Sequence, residues 1–210
     1  MKTQSSLIRI MCVDDHPFMR EGIASYIRNA SDMELIAEAV NGREAIELFR
    51  TLRPDITLMD LRLPDISGVE ALLAIRKEFG QARIIMLTTY EGDEDIRRAL
   101  EAGAQAYLLK TMPRSELLEA IRKVHDGHRY VPPEVAAQLA QHLGQHPLSR
   151  REIEVLERIA AGNRNIDIAA TLFISEETVK GHIKHIMEKL EANDRTEAVA
   201  IGARRGIIRL

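Results

Sequence analysis

Only one cysteine, Cys12, occurs in the 210 residues, so neither a disulfide nor a cysteine-built metal centre can form within one chain. No apolar run approaches the roughly 18 residues that a membrane-spanning helix needs. The opening stretch, MKTQSSLIRIMCVDDH, has one lysine, no small-residue cleavage site, and acidic residues soon after its apolar part. A secretory signal is therefore not expected. Internal repeats and low-complexity tracts are also missing. A reduced, cytoplasmic protein is the expectation, and 45% hydrophobic with 29% charged residues is the profile of a soluble globular chain. An excess of one charge is lacking too: from Leu148 to Leu210, eleven Lys and Arg stand against ten Asp and Glu. Bulk charge therefore does not announce a nucleic-acid binder, and the placement of the basic residues must decide.

What is present falls into two halves. The first ~125 residues alternate short apolar runs with amphipathic stretches. The runs Ile8–Val13, Glu34–Val40, Asp55–Asp60, Arg83–Thr88 and Ala106–Leu109 read as buried strands. Five alternations with helical patterns imply a doubly wound α/β domain, a five-stranded parallel sheet with helices on both faces. From Leu148 the strand signals stop. Ser149–Ala161, Asn165–Leu172, Glu176–Glu191 and Thr196–Arg204 read as four short helices, punctuated by Gly162, Ser175 and Asn193. The expected divisions are a first domain over 1–126, a linker over 127–147 and an all-α domain over 148–210. Pro132 and Pro133 suit the opening of a brief linker helix, Glu134–Leu143.

Chemistry concentrates at the strand ends. Asp14 and Asp15 follow the first strand, Asp60 closes the third, Thr88 closes the fourth and Lys110 follows the fifth. In a parallel sheet these ends share one edge, where open α/β folds place their sites. Taken singly, each residue is an ordinary cap, strand-end or solvated residue. Together, three crowded carboxylates repel one another unless a cation binds, and oxygen donors of this kind suit Mg2+. A lysine and a hydroxyl beside them would stabilise charge on a phosphoryl group moving onto a carboxylate.

The segments Val13-Asp14-Asp15-His16, Met59-Asp60-Leu61-Arg62-Leu63-Pro64-Asp65-Ile66-Ser67-Gly68, Leu87-Thr88-Thr89 and Tyr107-Leu108-Leu109-Lys110 resemble the receiver domain of two-component response regulators. The resemblance covers about the first 125 residues and implies a flavodoxin-like fold. It implies that Asp60 accepts phosphate from a histidine kinase. Asp14 or Asp15, Asp60 and the backbone carbonyl of Arg62 would hold Mg2+, with Asp15 the surer ligand of the pair. Thr88 and Lys110 would contact the phosphoryl oxygens, and Thr88 with Tyr107 would form the switch. Two positions depart from the usual pattern. Thr111 follows Lys110 where many receivers carry proline, and Thr89 stands where alanine is common, adding bulk near Asp60.

In the all-α half, one helix, a turn around Phe173–Ser175 and a longer helix succeed one another, the order of a helix-turn-helix. Ser175 suits an N-cap, with Glu176 and Glu177 in the first turn. Val179, Ile183, Ile186 and Leu190 recur at helical spacing toward a core, leaving Lys180 and Lys184 projecting together elsewhere. An isolated solvated helix would show such lysines as well. Leu148-Ser149-Arg150-Arg151-Glu152, Ala161-Gly162, Asn165-Ile166, Ile168-Ala169, Ile174-Ser175, Thr178-Val179-Lys180, His182 and Lys189-Leu190 resemble the DNA-binding domain of the LuxR/NarL group. That resemblance covers about the last 63 residues and implies binding to double-stranded DNA. Lys180, Gly181 and Lys184 would face bases, with Asn165, Thr178 and His182 near the phosphate backbone.

The combined expectation is a phosphorylation-dependent transcription regulator of the NarL/FixJ type, not an enzyme, forming a homodimer when phosphorylated. Small apolar residues Ala198, Val199, Ala200 and Ala203 suggest one pairing face, unless they pack inside their own domain. Two other readings stay open. A regulator with a receiver fold that takes no phosphate fits the helical half equally well. A haloacid-dehalogenase-like phosphatase would need a second aspartate two positions after the nucleophile, where this chain has Arg62.

Overall fold

The computed structural model describes residues 7–89, 92–141 and 147–208, the side chain of Gln141 excepted. Two compact units emerge, one holding most residues up to Ala136 and the other the residues from Ala137 onward. Among the described residues no helix is long and apolar enough to cross a membrane.

The first unit alternates β1 (Ile8–Val13), α1 (Pro17–Arg28), β2 (Met33–Ala39), α2 (Gly42–Leu52), β3 (Ile56–Asp60), α3 (Gly68–Glu78), β4 (Ile84–Thr88), α4 (Asp93–Glu101), β5 (Ala106–Leu109) and α5 (Arg114–His125). All strand pairings are parallel, in the order β2-β1-β3-β4-β5. Every residue of β3 and β4 is buried, as expected of central strands covered on both faces. Ile10, Cys12, Leu58, Ile85 and Leu108 pack with Ile23, Ile27, Leu117 and Ile121 of the flanking helices into one apolar cluster. Two of the sequence-read strands, the first and the fifth, match residue for residue, and the other three shift by a single residue at one or both ends.

The sheet order reverses between β1 and β3, so the chain leaves these neighbouring strands toward opposite sides. A crevice forms there at the carboxyl ends. The loop after β3 is pinned from two directions. Asp65 accepts hydrogen bonds from the backbone N–H of Gly42 (2.8 Å) and Arg43 (3.0 Å), closing the N-terminus of α2. Ser67 and Glu70 form a reciprocal cap that starts α3.

The helix α6 (Pro133–Gln141) follows, with its first residues still in the first unit. The last two residues of the expected linker helix, His142 and Leu143, lie outside the described residues, as does Gly144. Tyr130 makes a bridge to Ala106 at the edge of the sheet, so the chain beyond α5 still packs on this unit.

The second unit contains α7 (Arg150–Ala160), α8 (Asn165–Leu172), α9 (Glu176–Leu190) and α10 (Arg195–Arg204). Val155, Leu156, Ile159, Ile168, Val179, Ile186, Leu190, Ala198 and Ile207 form its core. The turn from α8 to α9 begins at Phe173, a left-handed residue with φ 55°, and ends where Ser175 caps α9 through the Thr178 N–H at 3.0 Å. Ala198 is buried in this core, and Val199 and Ala203 pack against it. Of the four residues expected to offer a pairing face on α10, Ala198 belongs to the core, Val199 and Ala203 are half-buried, and Ala200 is exposed.

Candidate functional site

The crevice at the carboxyl ends of β1 and β3 collects the acidic residues. Asp14 is fully buried and Asp60 is 3% exposed, while Asp15 and His16 lie at the rim. One ligand atom from each of Asp14, Asp15, His16 and Asp60 falls within 4.8 Å of the others. Lys110, carried past the end of β5, reaches into the group. Its Nζ donates to Asp60 Oδ2 at 2.8 Å and forms an ion pair with Asp14 Oδ2 at 2.6 Å. The backbone N–H of Arg62 donates to Asp60 Oδ1 at 3.2 Å, curling the loop so that the peptide after Leu61 borders the site.

Electrostatics match this crowding. Burial pushes the Asp60 carboxyl above the ordinary carboxylate range, with Asp14 adding to the rise and Lys110 and the Arg62 N–H opposing it. Burial disfavours the Lys110 charge, yet hydrogen bonding and attraction to Asp14 and Asp60 outweigh it and hold the ammonium above its usual value. One lysine against three carboxylates leaves a net negative pocket of oxygen donors, which fits a hard divalent cation. Asp14, Asp15 and Asp60 thus form an acidic pocket of the kind typical of Mg2+ binding. Cys12, two residues upstream on β1, is no competitor for a metal: burial first, and Asp14 next, push its thiol up to about 12.

Thr88 and Tyr107 lie on neighbouring strands, and both are buried. The register pairs Thr88 with Leu109, two residues beyond Tyr107, so Thr88 and Tyr107 face the same side of the sheet. The Lys110 N–H donates to Thr88 O at 2.7 Å, which ties the ends of β4 and β5 together. Thr89 is exposed, and no peptide bond among the described residues is cis, including the one before Thr111.

Sequence reasoning did not single out Arg20. Its Nη1 donates to the backbone carbonyl of Asp14 at 2.7 Å, and its Nε reaches Glu38 at 3.3 Å. The signal was there: Arg20 lies three, four and seven residues before the buried Ile23, Ala24 and Ile27, on the apolar stripe of α1.

In the second unit, Lys180 and Lys184 are exposed on α9, opposite the core positions Val179 and Ile186. Their partners are Glu176, Glu177 and Glu188 at 3.7–3.8 Å, exposed pairs too weak to hold them against a stronger anion. Thr178 is exposed and bonded to the Ser175 cap, while His182 and Asn165 are half-buried. A Cβ on Gly181 would meet nothing within 4 Å, so packing within the domain does not require glycine there.

A receiver-type sheet with this pocket, followed by a helix-turn-helix, defines a two-component response regulator. The chain matches the response regulator receiver domain over residues 10–122 and the bacterial regulatory proteins of the luxR family over residues 146–201. It belongs to the response regulators that act as DNA-binding transcription regulators, a family that is not enzymatic. It is 38% identical over 206 residues to response regulator protein VraR of Staphylococcus aureus strain COL, covering 96% of this chain and 99% of the relative. Among solved structures, response regulator ChrA of a heme-sensing two-component system is 38% identical, with a TM-score of 0.59, covering 97% of this chain and all of that one. The regulator RcsB in complex with DNA shares the fold at 22% identity, TM-score 0.71, over 95% of this chain and 99% of its own.

Proposed function

We propose that Asp60 accepts a phosphoryl group from a sensor histidine kinase and that the phosphorylated chain binds double-stranded DNA through α9. The observation that carries this is the Lys110 ammonium held between Asp60 and Asp14 inside an oxygen-donor pocket. A carboxylate oxygen of Asp60 forms a bond to phosphorus as the bond to the kinase imidazole nitrogen breaks. The electron pair returns to that nitrogen. Lys110 and the Thr88 hydroxyl take up charge on the phosphoryl oxygens, and burial keeps competing water from the acceptor. Asp14, Asp15, Asp60 and the Arg62 carbonyl are the residues that would hold Mg2+, which supplies charge neutralisation for the transfer. Inward-facing Thr88 and Tyr107 would pass the change to the surface of the domain.

Asp60→Asn is expected to abolish labelling by a small-molecule phosphodonor in Mg2+ while leaving the far-ultraviolet circular dichroism unchanged. Full labelling of that variant would place the acceptor elsewhere. A competing reading, a receiver fold that takes no phosphate, predicts no labelling of the wild type.

For DNA, the support is the exposed pair Lys180 and Lys184 on a helix whose first residues, Glu176–Thr178, are exposed as well, the end that enters a major groove in such motifs. Lys180→Ala is expected to cost roughly 1–3 kcal/mol of affinity and to relax sequence preference. Equal weakening on all sequences would assign Lys180 to phosphate neutralisation instead. Gly181 offers no side chain, so preference rests on its neighbours and on DNA shape.

Phosphorylation is expected to promote a homodimer on DNA, because one small domain presents few base contacts and a second half-site adds another set. Sedimentation of phosphorylated and unmodified protein on a two-half-site duplex checks this. Monomeric binding with equal affinity in both states overturns it.

A further inference from the structure

We infer that Arg20 is a positioning residue for the acidic pocket: it fixes the β1–α1 loop so that Asp14 and Asp15 are held ready for a divalent cation. The inference rests on the proposed metal-dependent acceptor role of Asp60.

Asp14 stands where β1 ends, and the sheet satisfies only its N–H, which donates to Ala39 O at 3.1 Å. Its carbonyl would be a buried acceptor without a partner, a costly arrangement. Arg20 supplies the partner at 2.7 Å from one turn into α1. The Arg20 side chain is only 16% exposed, and its Nε is braced by Glu38 of β2 at 3.3 Å. Arg20 thereby joins three elements, the neighbouring strands β1 and β2 and the helix that follows β1. The side chain of Asp14 is held from the other end: Oδ1 accepts the His16 N–H at 2.9 Å, and Oδ2 sits against Lys110. With the Asp14 main chain clamped on both sides, the next residue, Asp15, leaves the strand in one direction only.

Chemistry explains why an arginine serves here. A guanidinium donates through several N–H groups in a fixed plane, so it engages a carbonyl and a carboxylate together. It also places a positive charge behind the carboxylates, by way of the peptide, without occupying their oxygens. Lys110 cannot do this, because it sits directly on the carboxylates. Removing an outer partner of this kind costs metal sites about tenfold or more in affinity.

The test uses the full-length protein with Arg20→Met, Arg20→Lys and Arg20→Gln, alongside wild type. Mg2+ binding is measured by calorimetry, and backbone amide exchange at Asp15 and His16 is measured in metal-free protein. For Arg20→Met we expect about tenfold weaker Mg2+ binding and faster exchange confined to Asp15 and His16, with the sheet amides still protected. Arg20→Lys, which keeps charge and one donor, is expected to recover much of the affinity, and Arg20→Gln less. Unchanged exchange at Asp15 and His16 overturns the inference, as does unchanged Mg2+ affinity in Arg20→Met. Uniformly faster exchange across the sheet also overturns it, by assigning Arg20 to general stability. If wild type itself binds no Mg2+, the acceptor reading fails, and the amide exchange still decides whether Arg20 holds the loop.

Discussion

Gly68→Ala is expected to lower the melting temperature of the receiver by about 10 °C, the effect of roughly 3 kcal/mol in a domain of this size. Gly68 opens α3 with ordinary helical backbone, so the demand on it is space and not an unusual dihedral angle. A Cβ built there lies 2.0 Å from the backbone oxygen of Asp60 and 3.0 Å from Met86 Cε. The Gly68 N–H also donates to Leu61 O at 3.0 Å, so the start of α3 is bonded directly to the end of β3. A methyl group must push these two segments apart, and the atom in its way is main chain in a central strand, which cannot swing aside as a long side chain would. Displacing Asp60 by about an ångström is expected to slow phosphorylation about a hundredfold as well. Gly22→Ala is the matched control. Gly22 lies inside α1 with nothing within 4 Å of a built Cβ. Alanine there should stabilise by about 0.5–1 kcal/mol through helix propensity. If Gly68→Ala melts with Gly22→Ala or with wild type, the close approach of α3 to Asp60 is not what the site depends on.

The contrast between these two glycines shows where sequence reading ends. Both sit in helices, and pattern alone gives no reason to rank them. The strands were legible because each is a short apolar run with polar punctuation, and the position of Asp60, Thr88 and Lys110 at strand ends followed from that. The helix-turn-helix was legible because Ser175 caps a helix whose apolar spacing runs to Leu190. Contacts between residues distant in sequence were not. Asp65 closes a helix that begins 23 residues before it, and Arg20 serves a carbonyl through a side chain that sequence pattern files with the apolar stripe. The apolar face read on α10 is only partly taken up by its own domain, with Val199 and Ala203 half-buried and Ala200 exposed. Small residues look alike whether they meet a partner or their own core, and in Ala198 the core wins.

Glu152→Ala is expected to destabilise the DNA-binding unit by about 3 kcal/mol, lowering its unfolding transition by roughly 15 °C. Glu152 is 4% exposed and carries two duties at once. Its Oε2 accepts the Ser149 N–H at 2.7 Å, completing the reciprocal cap of α7 in which Ser149 Oγ accepts the Glu152 N–H. The same oxygen takes Lys189 Nζ at 2.7 Å, tying the start of α7 to the end of α9, 37 residues away. Loss of a cap costs about 1 kcal/mol. Breaking a buried ion pair costs about 3–5 kcal/mol when the remaining charge is trapped, and Lys189, 30% exposed, regains some water, which brings the sum down. Glu152→Gln keeps an acceptor for Ser149 and loses the charge, so its transition should fall between those of alanine and wild type. The pair also sets a pH dependence. Burial alone would raise the Glu152 carboxyl, but Lys189 and the Ser149 donors outweigh it and hold it below the ordinary value of 4.5. The unfolded chain therefore binds the proton more readily, and the stabilisation is complete above that value and is lost as pH falls through the lower folded one. Thermal melts of wild type from neutral pH down through this window should converge on those of Glu152→Gln. A constant gap between the two at every pH would show that the Glu152 charge contributes nothing to holding α7 against α9.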